Sequence, residues 1–302
     1  MVYHLGVDQG TTNTKVVLHN SKKIIFTSTK KIPINFTKEG WVEQNANLMI
    51  ENIIFCIKQV IKNSKININK INTIGIANQT ETFVVWDKKS GKPILPAISW
   101  QCKRSSKLLI KYKSNFNLKE INHKTGLNLD ATFTATKILW LKINHPQIYN
   151  KIINNKYLIG TVDTWIVWSL TKGKIYSTDA TNASRTLLCD TKKICWDQSL
   201  IEQFQLKKII LPEIKKNYDD FGKVNKSYFG TEINIRSTIG DQQASLFGNQ
   251  CLNKGDLKIT LGTGAFLWLN KGNKFFPKNN SGCLETLSWY FDKPVFASEG
   301  FV

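Results

Sequence analysis

A polar turn near the amino terminus carries residue types that could bind a phosphate group. A tight turn containing Gly10 can present several backbone N–H groups on one concave surface, which suits phosphate oxygens. Side-chain donors and a positive charge follow, at Thr11, Thr12, Asn13 and Lys15. Asp8 precedes the turn, and its carboxylate could hold Mg²⁺ directly or through water, because Mg²⁺ prefers oxygen ligands. The alternative is an ordinary hairpin turn with hydrophilic side chains.

A second glycine turn, Gly262-Thr263-Gly264, lies far along the chain. Alone it is a weak signal, since many turns have this composition. Beside the first turn it gains weight, because two hairpins facing each other across a cleft would hold the tail of a nucleotide from both sides. The loop patterns of P-loop NTPases, dinucleotide-binding folds and protein kinases do not occur in the sequence.

Two acidic residues follow apolar runs, where a sheet could present them to a ligand. Asp241 comes directly after such a run, and ligands of α/β sheets bind where strands end. Asp241 could instead be the N-cap of a helix over 244–250. Glu81 lies in a polar turn between two apolar runs, and Trp100 ends the extended segment that follows. Glu81 and Trp100 could also lie at the rim of the molecule without a function.

The elements that must position these residues form an α/β pattern. Apolar runs predict strands, over 3–7, 15–18, 71–77, 83–87, 237–239, 258–261 and 265–269. Residues 24–33 could continue the first sheet, and residues 94–100 are expected to be extended. Helical spacing of apolar residues predicts helices, over about 47–62, 135–143, 162–170 and 244–250. Asn45 or Asn47 is the expected N-cap of the first helix.

Composition argues against several classes of function. The chain has 302 residues, enough for two domains of ordinary size. Its net charge of +20 is typical of nucleic-acid binding, but only Arg104, Arg185 and Arg236 among the 42 basic residues are arginines. Because proteins that read nucleic acids favour arginine for bidentate contacts, we expect no nucleic-acid partner. No apolar run approaches the roughly 18 residues that span a bilayer, so we expect no integral membrane association.

The cysteines and histidines do not indicate a metal site. The six cysteines form no C-x-x-C pair and the four histidines are scattered, which argues against zinc. The amino terminus lacks the features of a secretory signal. We therefore expect reduced thiols and a cytoplasmic location.

Eight motifs occur in the order in which they are found in a known family. They are DQGTT (8–12), GWVE (40–43), NQTET (78–82), AISWQ (97–101), GTVDTW (160–165), TNASRT (181–186), GDQQA (240–244) and GTG (262–264). Together they resemble the FGGY carbohydrate kinases, and in particular the glycerol kinase branch of that family. The resemblance covers nearly the whole chain.

The resemblance implies an α/β fold of the actin/Hsp70/hexokinase (ribonuclease H-like) type, with two similar domains and a deep cleft. It implies transfer of the γ-phosphate of ATP to a primary hydroxyl of a polyol or sugar, most simply glycerol, with Mg²⁺. Asp241 matches the general base. The substrate pocket corresponds to Thr80, Glu81, Trp100, Asp241, Gln242 and Phe266. Phosphate contacts correspond to Thr11, Thr12, Asn13, Lys15, Gly262 and Thr263, and Asp8 matches the Mg²⁺ water shell.

Three positions depart from the glycerol kinase pattern. Lys15 stands where those kinases have an arginine, so the phosphate contact keeps its charge but loses the guanidinium fork. Thr80 stands where they have an arginine that bonds glycerol, and Thr132 where they have a tyrosine lining the pocket. The last two changes enlarge the pocket and remove donors. They favour a larger or differently hydroxylated substrate, of the erythritol or xylulose type, as the alternative to glycerol.

The resemblance also predicts a domain division. Residues 1–250 correspond to the first FGGY domain, with the substrate and phosphate sites, and residues 251–302 to the beginning of the second, nucleotide-binding domain. Because the family continues well beyond Val302, we expect the chain to be a fragment or a truncated product. An exposed apolar face could then favour a homo-oligomer. A non-catalytic remnant that only binds ligand is the remaining alternative.

Overall fold

The computed structural model describes residues 2–261, 265–277 and 282–301. Its strands are β1 (Tyr3–Gln9), β2 (Asn13–His19), β3 (Ile24–Lys31), β4 (Asn35–Lys38), β5 (Trp41–Gln44), β6 (Ile71–Asn78), β7 (Phe83–Asp87), β8 (Ala97–Ile98), β9 (Tyr157–Thr161), β10 (Ser177–Asp179), β11 (Cys189–Asp190), β12 (Cys195–Trp196), β13 (Glu213–Lys215), β14 (Lys223–Val224), β15 (Ile233–Gly240), β16 (Leu257–Leu261), β17 (Ala265–Gly272), β18 (Leu284–Tyr290) and β19 (Pro294–Phe301). Its α-helices are α1 (Ala46–Ser64), α2 (Ser106–Lys111), α3 (Leu118–Thr125), α4 (Thr134–Asn144), α5 (Pro146–Ile153), α6 (Val162–Leu170), α7 (Ala180–Ser184), α8 (Gln198–Gln203) and α9 (Asp241–Gly248).

A six-stranded mixed sheet, ordered β14-β15-β6-β1-β2-β3, forms the centre of the first half of the fold. Strands β1, β6 and β15 are parallel, and the remaining pairs are antiparallel. Helices α1 and α6 pack with this sheet in a core that includes Leu5, Val7 and Ile76. Because side chains alternate between the two faces of a strand, Asp8 belongs to the opposite face from Val7.

The register of this sheet places the carboxyl ends of three parallel strands side by side. Gln9, the last residue of β1, pairs with Asn78, the last residue of β6. Asn78 in turn pairs with Gly240, the last residue of β15. The segments that leave these strands therefore begin at one edge of the sheet, which is where ligands of such sheets bind.

A five-stranded sheet, ordered β4-β5-β8-β7-β9, packs with α3, α4 and α5 around a second apolar core. Helix α4 is buried on all sides from Thr134 to Leu141. Its charged residue Lys137 consequently lies in the interior.

A four-stranded antiparallel sheet, ordered β16-β17-β19-β18, contains the last described part of the chain. It joins the preceding part through backbone hydrogen bonds from Glu285 N to the Gly126 carbonyl and from Asn217 N to the Tyr290 carbonyl, each 2.9 Å long. The edge strand β16 exposes the apolar side chains of Leu257, Ile259 and Leu261.

Most of the predicted elements are confirmed, including the first helix. Helix α1 has Asn45 as its N-cap, and the Asn45 side chain accepts hydrogen bonds from the N–H groups of residues 47 and 48. The alternative role of Asp241 as an N-cap is wrong, because α9 begins at Asp241 itself and Gly240 is the N-cap. Within the segment 94–100, only Ala97–Ile98 forms a strand. No helix in the described ranges combines the length and apolar character needed to cross a membrane.

Candidate active site

A cavity of about 510 Å³ opens at the sheet edge where β1, β6 and β15 end. Segments from all three strand ends line it, together with residues of the four-stranded sheet. The predicted site residues in its wall are Thr11, Thr80, Glu81, Trp100, Asp241, Gln242 and Phe266. The structure therefore brings together the predicted substrate residues and one residue of the predicted phosphate turn.

Asp241 is a carboxylate whose surroundings favour proton uptake. Its Oδ1 accepts a hydrogen bond from the N–H of Gln242 at 2.7 Å. Burial, together with the negative charges of Glu81 and Asp8, raises the pKa of Asp241 to about 7, although Gln242 N–H and Lys258 favour the ionised form. A carboxyl group with a pKa near 7 can exchange a proton at neutral pH, as a general base must.

Glu81 lies at the centre of a three-residue turn that closes with a hydrogen bond from Thr82 N to the Thr80 carbonyl at 2.7 Å. Its φ of 62° is uncommon for a residue other than glycine. Both carboxylate oxygens are bound, because Arg185 Nε donates to Oε1 and the Thr80 hydroxyl donates to Oε2, each at 2.5 Å. Backbone conformations of this kind cluster at functional sites, where surrounding contacts maintain them.

Aromatic side chains supply the apolar part of the wall, with Trp100, Phe133 and Phe266 all lining the cavity. The indole Nε1 of Trp100 donates to Thr11 Oγ1 at 2.9 Å, and the Thr11 hydroxyl donates to Gln79 Oε1 at 3.3 Å. This chain of hydrogen bonds ties the predicted phosphate turn to the predicted substrate pocket.

The rest of the predicted phosphate turn is exposed to solvent. Thr12, Asn13 and Lys15 are exposed, and Asn13 Nδ2 donates to Thr12 Oγ1 at 3.0 Å. The turn closes through a hydrogen bond from Gly10 N to the Asn13 carbonyl at 3.0 Å. Gly262 and Thr263, the predicted contacts from the second turn, lie outside the described residues.

Asp8, the predicted Mg²⁺ residue, is exposed but close enough to Asp241 for the two carboxylates to act on each other. The surrounding protein atoms remove part of the hydration of Asp8, which raises its pKa. The positive charge of Lys15, its partner across the hairpin, opposes this shift. Among the described residues, no group of three or more metal-ligating side chains occurs. A carboxylate such as Asp8 suits a Mg²⁺ ion that keeps several waters and binds substrate phosphates.

Thr132, one of the departures from the family pattern, lines the cavity beside Asp130. The N–H and hydroxyl of Thr132 both donate to Asp130 Oδ1, at 2.8 and 2.6 Å. Behind them the buried ammonium of Lys137 donates to the Thr132 carbonyl and, at 3.4 Å, to the Glu81 carbonyl. Burial lowers the pKa of Lys137 to about 7, although the charge of Glu81 opposes this.

Several charged residues at or behind the cavity were not predicted as site residues, namely Arg185, Glu299, Lys258 and Lys137. Arg185 Nη1 donates to Glu299 Oε2 at 2.6 Å, and Lys258 Nζ donates to Gln242 Oε1 at 3.0 Å. Burial lowers the pKa of Lys258, although the negative charge of Asp241 acts in the opposite direction. The signals available for Arg185 were its place in a shared motif and the scarcity of arginine in this chain.

Comparison with known proteins identifies the family. The model of the N-terminal domain of the FGGY family of carbohydrate kinases matches residues 3–248. A glycerol kinase of Thermoanaerobacter sp. (strain X514) is 40% identical over 302 residues, which are 99% of this chain and 61% of that protein. Glycerol kinase 2 of Thermotoga maritima is 38% identical over 304 residues, which cover 100% of this chain and 61% of that protein. The chain thus spans 61% of the length of these relatives.

Comparison with solved structures supports the same family. Plasmodium falciparum glycerol kinase with ADP superposes with a TM-score of 0.94 at 35% identity, over 100% of this chain and 61% of that chain. A gluconate kinase from Lactobacillus acidophilus, with a TM-score of 0.89 and 22% identity over 99% of this chain and 59% of its own, shows the fold alone. The predicted α/β fold of the actin/hexokinase type is confirmed. The chain belongs to the FGGY family of carbohydrate kinases.

Proposed function

We propose that the protein phosphorylates glycerol with ATP, giving glycerol 3-phosphate. The observation that carries this proposal is that Asp241 and Glu81, from the ends of neighbouring parallel strands, line the same cavity as the rings of Trp100 and Phe266. Two glycerol kinases with about 40% identity along the chain support the choice of glycerol.

In this proposal Asp241 accepts the proton of the attacking hydroxyl. Phosphoryl transfer passes through a loose transition state, so positioning and charge neutralisation matter more than a strong base. Glu81 and Gln242 bind the substrate hydroxyls, and each carboxylate oxygen of Glu81 keeps acceptor capacity beyond its present hydrogen bond. Trp100 and Phe266 pack against the carbon chain, and Thr80 lies beside them as a neutral residue.

The charges around the cavity favour a neutral substrate. Among the described residues that line it, four are acidic, namely Glu81, Asp130, Asp241 and Glu299, and the one cation is Arg185. Arg185 is already bound by Glu81 and Glu299. A sugar acid would bring another carboxylate into this acidic wall without a cation to pair with it.

The nucleotide is proposed to bind beside this cavity. Its phosphates would contact Thr11, Thr12, Asn13, Lys15, Gly262 and Thr263, and Asp8 would hold Mg²⁺ through water. When bound, Mg²⁺ neutralises charge on the phosphate oxygens. The hydrogen-bonded link from Trp100 to Thr11 supports this arrangement, because it joins the hydroxyl pocket to the phosphate turn.

A larger polyol or sugar of the erythritol or xylulose type is the second candidate. It is favoured by Thr80 and Thr132, two small side chains in the wall of a cavity of about 510 Å³. Both hydroxyls are already bound to neighbouring carboxylates, so neither adds a free donor that selects glycerol.

The test is ADP release by the complete protein with Mg·ATP and glycerol, erythritol, xylulose, dihydroxyacetone or gluconate. Glycerol is expected to give the highest kcat/KM, and gluconate is expected to give no turnover above the ATPase background. A preference for erythritol or xylulose would replace glycerol by the second candidate. No turnover with any neutral substrate would contradict the proposal.

Three further points are part of the proposal. Residues 1–250 form the first domain and 251–302 begin the second, which is supported by the start of the four-stranded sheet at Leu257. The protein works in the cytoplasm, where ATP is supplied and thiols stay reduced.

It can self-associate through β16, whose exposed apolar residues lie at the edge of a sheet. Light scattering of the purified chain, with an Ile259→Lys variant as control, tests the last point.

A further inference from the structure

Arg185 is a buried guanidinium that joins two parts of the fold. It follows helix α7 and contacts Glu81, in the turn after β6, through Nε at 2.5 Å. It also contacts Glu299, in strand β19 of the four-stranded sheet, through Nη1 at 2.6 Å. All three side chains are at most 13% exposed. One arginine thus connects the six-stranded sheet and the four-stranded sheet across the cavity that they share.

A buried ion-pair network is by itself weak evidence for a stabilising role. Burying an arginine and two carboxylates removes three charges from water, and the attraction between them commonly repays no more than that cost. The chain contains a second buried arginine for comparison, Arg104, which contacts Glu43 at 2.5 Å and lies over the ring of Trp41. Arg104 does not line the cavity, whereas Arg185 does.

The contacts of Arg185 determine where the Glu81 carboxylate lies. One oxygen of Glu81 is held by Arg185 and the other by the Thr80 hydroxyl. The guanidinium also lies over the ring of Phe133, another residue of the cavity wall. Because a planar guanidinium presents its donors in fixed directions, these contacts hold Glu81 in one orientation toward the cavity.

The same contacts separate like charges. Glu81, Glu299 and Asp241 all line the cavity, and negative charges that face one space repel one another. Burial of Arg185 lowers its pKa, but the charges of Glu299 and Glu81 outweigh burial and hold the pKa above its ordinary value. Arg185 therefore stays charged, and its ion pairs with Glu81 and Glu299 offset part of this negative charge.

We propose that Arg185 is a positioning residue for the substrate site: it holds Glu81 in the orientation that binds a substrate hydroxyl and, through Glu299, aligns the four-stranded sheet with that site. The proposal rests on the proposed function in so far as it names Glu81 as a substrate ligand. Its structural content, the placement of Glu81 by Arg185, can be tested independently of turnover.

The experiment compares Arg185→Met, Arg185→Lys and Glu299→Gln with the matched control Arg104→Met, all in the complete protein. Arg185→Met is expected to raise the KM for glycerol at least tenfold with a smaller effect on kcat. Arg185→Lys is expected to restore part of the loss, because it returns the charge but not the fork. Glu299→Gln is expected to raise KM less than Arg185→Met, since Glu81 keeps its contact. Arg104→Met should lower the melting temperature and leave KM within twofold.

Crystal structures of the wild type and of Arg185→Lys provide the readout that does not depend on turnover. A Glu81 carboxylate that shifts or splits into two conformers in the variant supports the proposal. An unmoved carboxylate, or an unchanged KM in both Arg185 variants, overturns it. If the wild type phosphorylates no neutral polyol, the proposed function fails, and the position of Glu81 in the variant still decides the role of Arg185. If Arg185→Met does not fold, Arg185→Lys and Glu299→Gln decide the outcome.

Discussion

Glu81 and Asp241 face one cavity, and the negative charge of Glu81 adds to burial in raising the pKa of Asp241 to about 7. The two carboxylates have different surroundings. Glu81 is bound by Arg185 and Thr80, whereas Asp241 accepts a hydrogen bond from one backbone N–H. With its raised pKa and a single hydrogen bond, Asp241 can take up a proton near neutral pH.

The rate of phosphorylation is expected to rise with pH through about 7. Below its raised pKa Asp241 holds a proton and cannot accept another, so kcat/KM should fall about tenfold for each pH unit below the pKa. Above about pH 8 the rate should reach a plateau. The measurement is kcat/KM for glycerol from pH 5 to 9, with ADP determined directly by chromatography. A profile that is flat down to pH 5 would contradict the assignment of Asp241 as the base.

Asp241→Asn is expected to lower kcat about 10²- to 10⁴-fold, the usual contribution of a general base. Its fold should persist, and the reason lies in proton linkage. The folded-state pKa of Asp241, about 7, is above the ordinary value of 3.8, so the native state loses stability as pH rises between these values. Asparagine removes this loss, and the melting temperature at pH 8 should match or exceed that of the wild type.

A matched control for that variant is Asp130→Asn. Asp130 lines the same cavity, but its carboxylate is bound by Thr132 and by Lys103. Its amide variant should change kcat less than tenfold. Equal losses in the two variants would mean that the reaction needs negative charge in the cavity and not a base at Asp241.

Thr80→Arg is expected to lower the KM for glycerol about tenfold, because a charge-assisted hydrogen bond replaces a missing donor. The acidic wall formed by Glu81, Asp241 and Glu299 can accommodate a second cation beside Arg185. Thr80→Val is the control, since it removes the hydroxyl bound to Glu81 and adds no donor. An unchanged KM in Thr80→Arg would remove Thr80 from the substrate pocket.

The residues at the strand ends could be predicted from the sequence. Glu81 and Asp241 each follow an apolar run, and parallel strands bring their carboxyl ends to one edge. The sequence does not show on its own which turns share that edge; the resemblance to a family supplied that information. The N-cap alternative for Asp241 failed because α9 begins three residues earlier than the apolar spacing indicated.

The charged residues behind the cavity could not be predicted in this way. Arg185 and Glu299 are 114 residues apart and belong to different layers of the fold, so no local pattern joins them. Lys137 lies in a correctly predicted helix, but a lysine is usually assigned to the exposed face. Only the structure shows that α4 is packed on all sides, so that the ammonium of Lys137 must bond to the carbonyls of Glu81 and Thr132.

The contact between α3 and the four-stranded sheet supplies a prediction about stability. Gly126 ends α3 with a φ of +76°, and a Cβ placed there would lie 2.3 Å from the carbonyl oxygen of Glu285. Gly230 has a nearly equal φ of +80°, but a Cβ there would have no atom within 4 Å. The two glycines therefore share the cost of a left-handed backbone and differ in the steric clash.

Gly230→Ala is expected to cost about 1–2 kcal/mol in the free energy of unfolding, the usual penalty of a left-handed residue with a Cβ. Gly126→Ala should cost about 1–3 kcal/mol more, because the backbone of β18 must move away. Urea unfolding of both variants measures the difference.

Movement of the β18 backbone would also break the hydrogen bond from Glu285 N to the Gly126 carbonyl and displace Leu284, which lines the cavity. Only Gly126→Ala should therefore also raise the KM for glycerol. Equal destabilisation of the two variants would show that the four-stranded sheet is not held against α3 at this point.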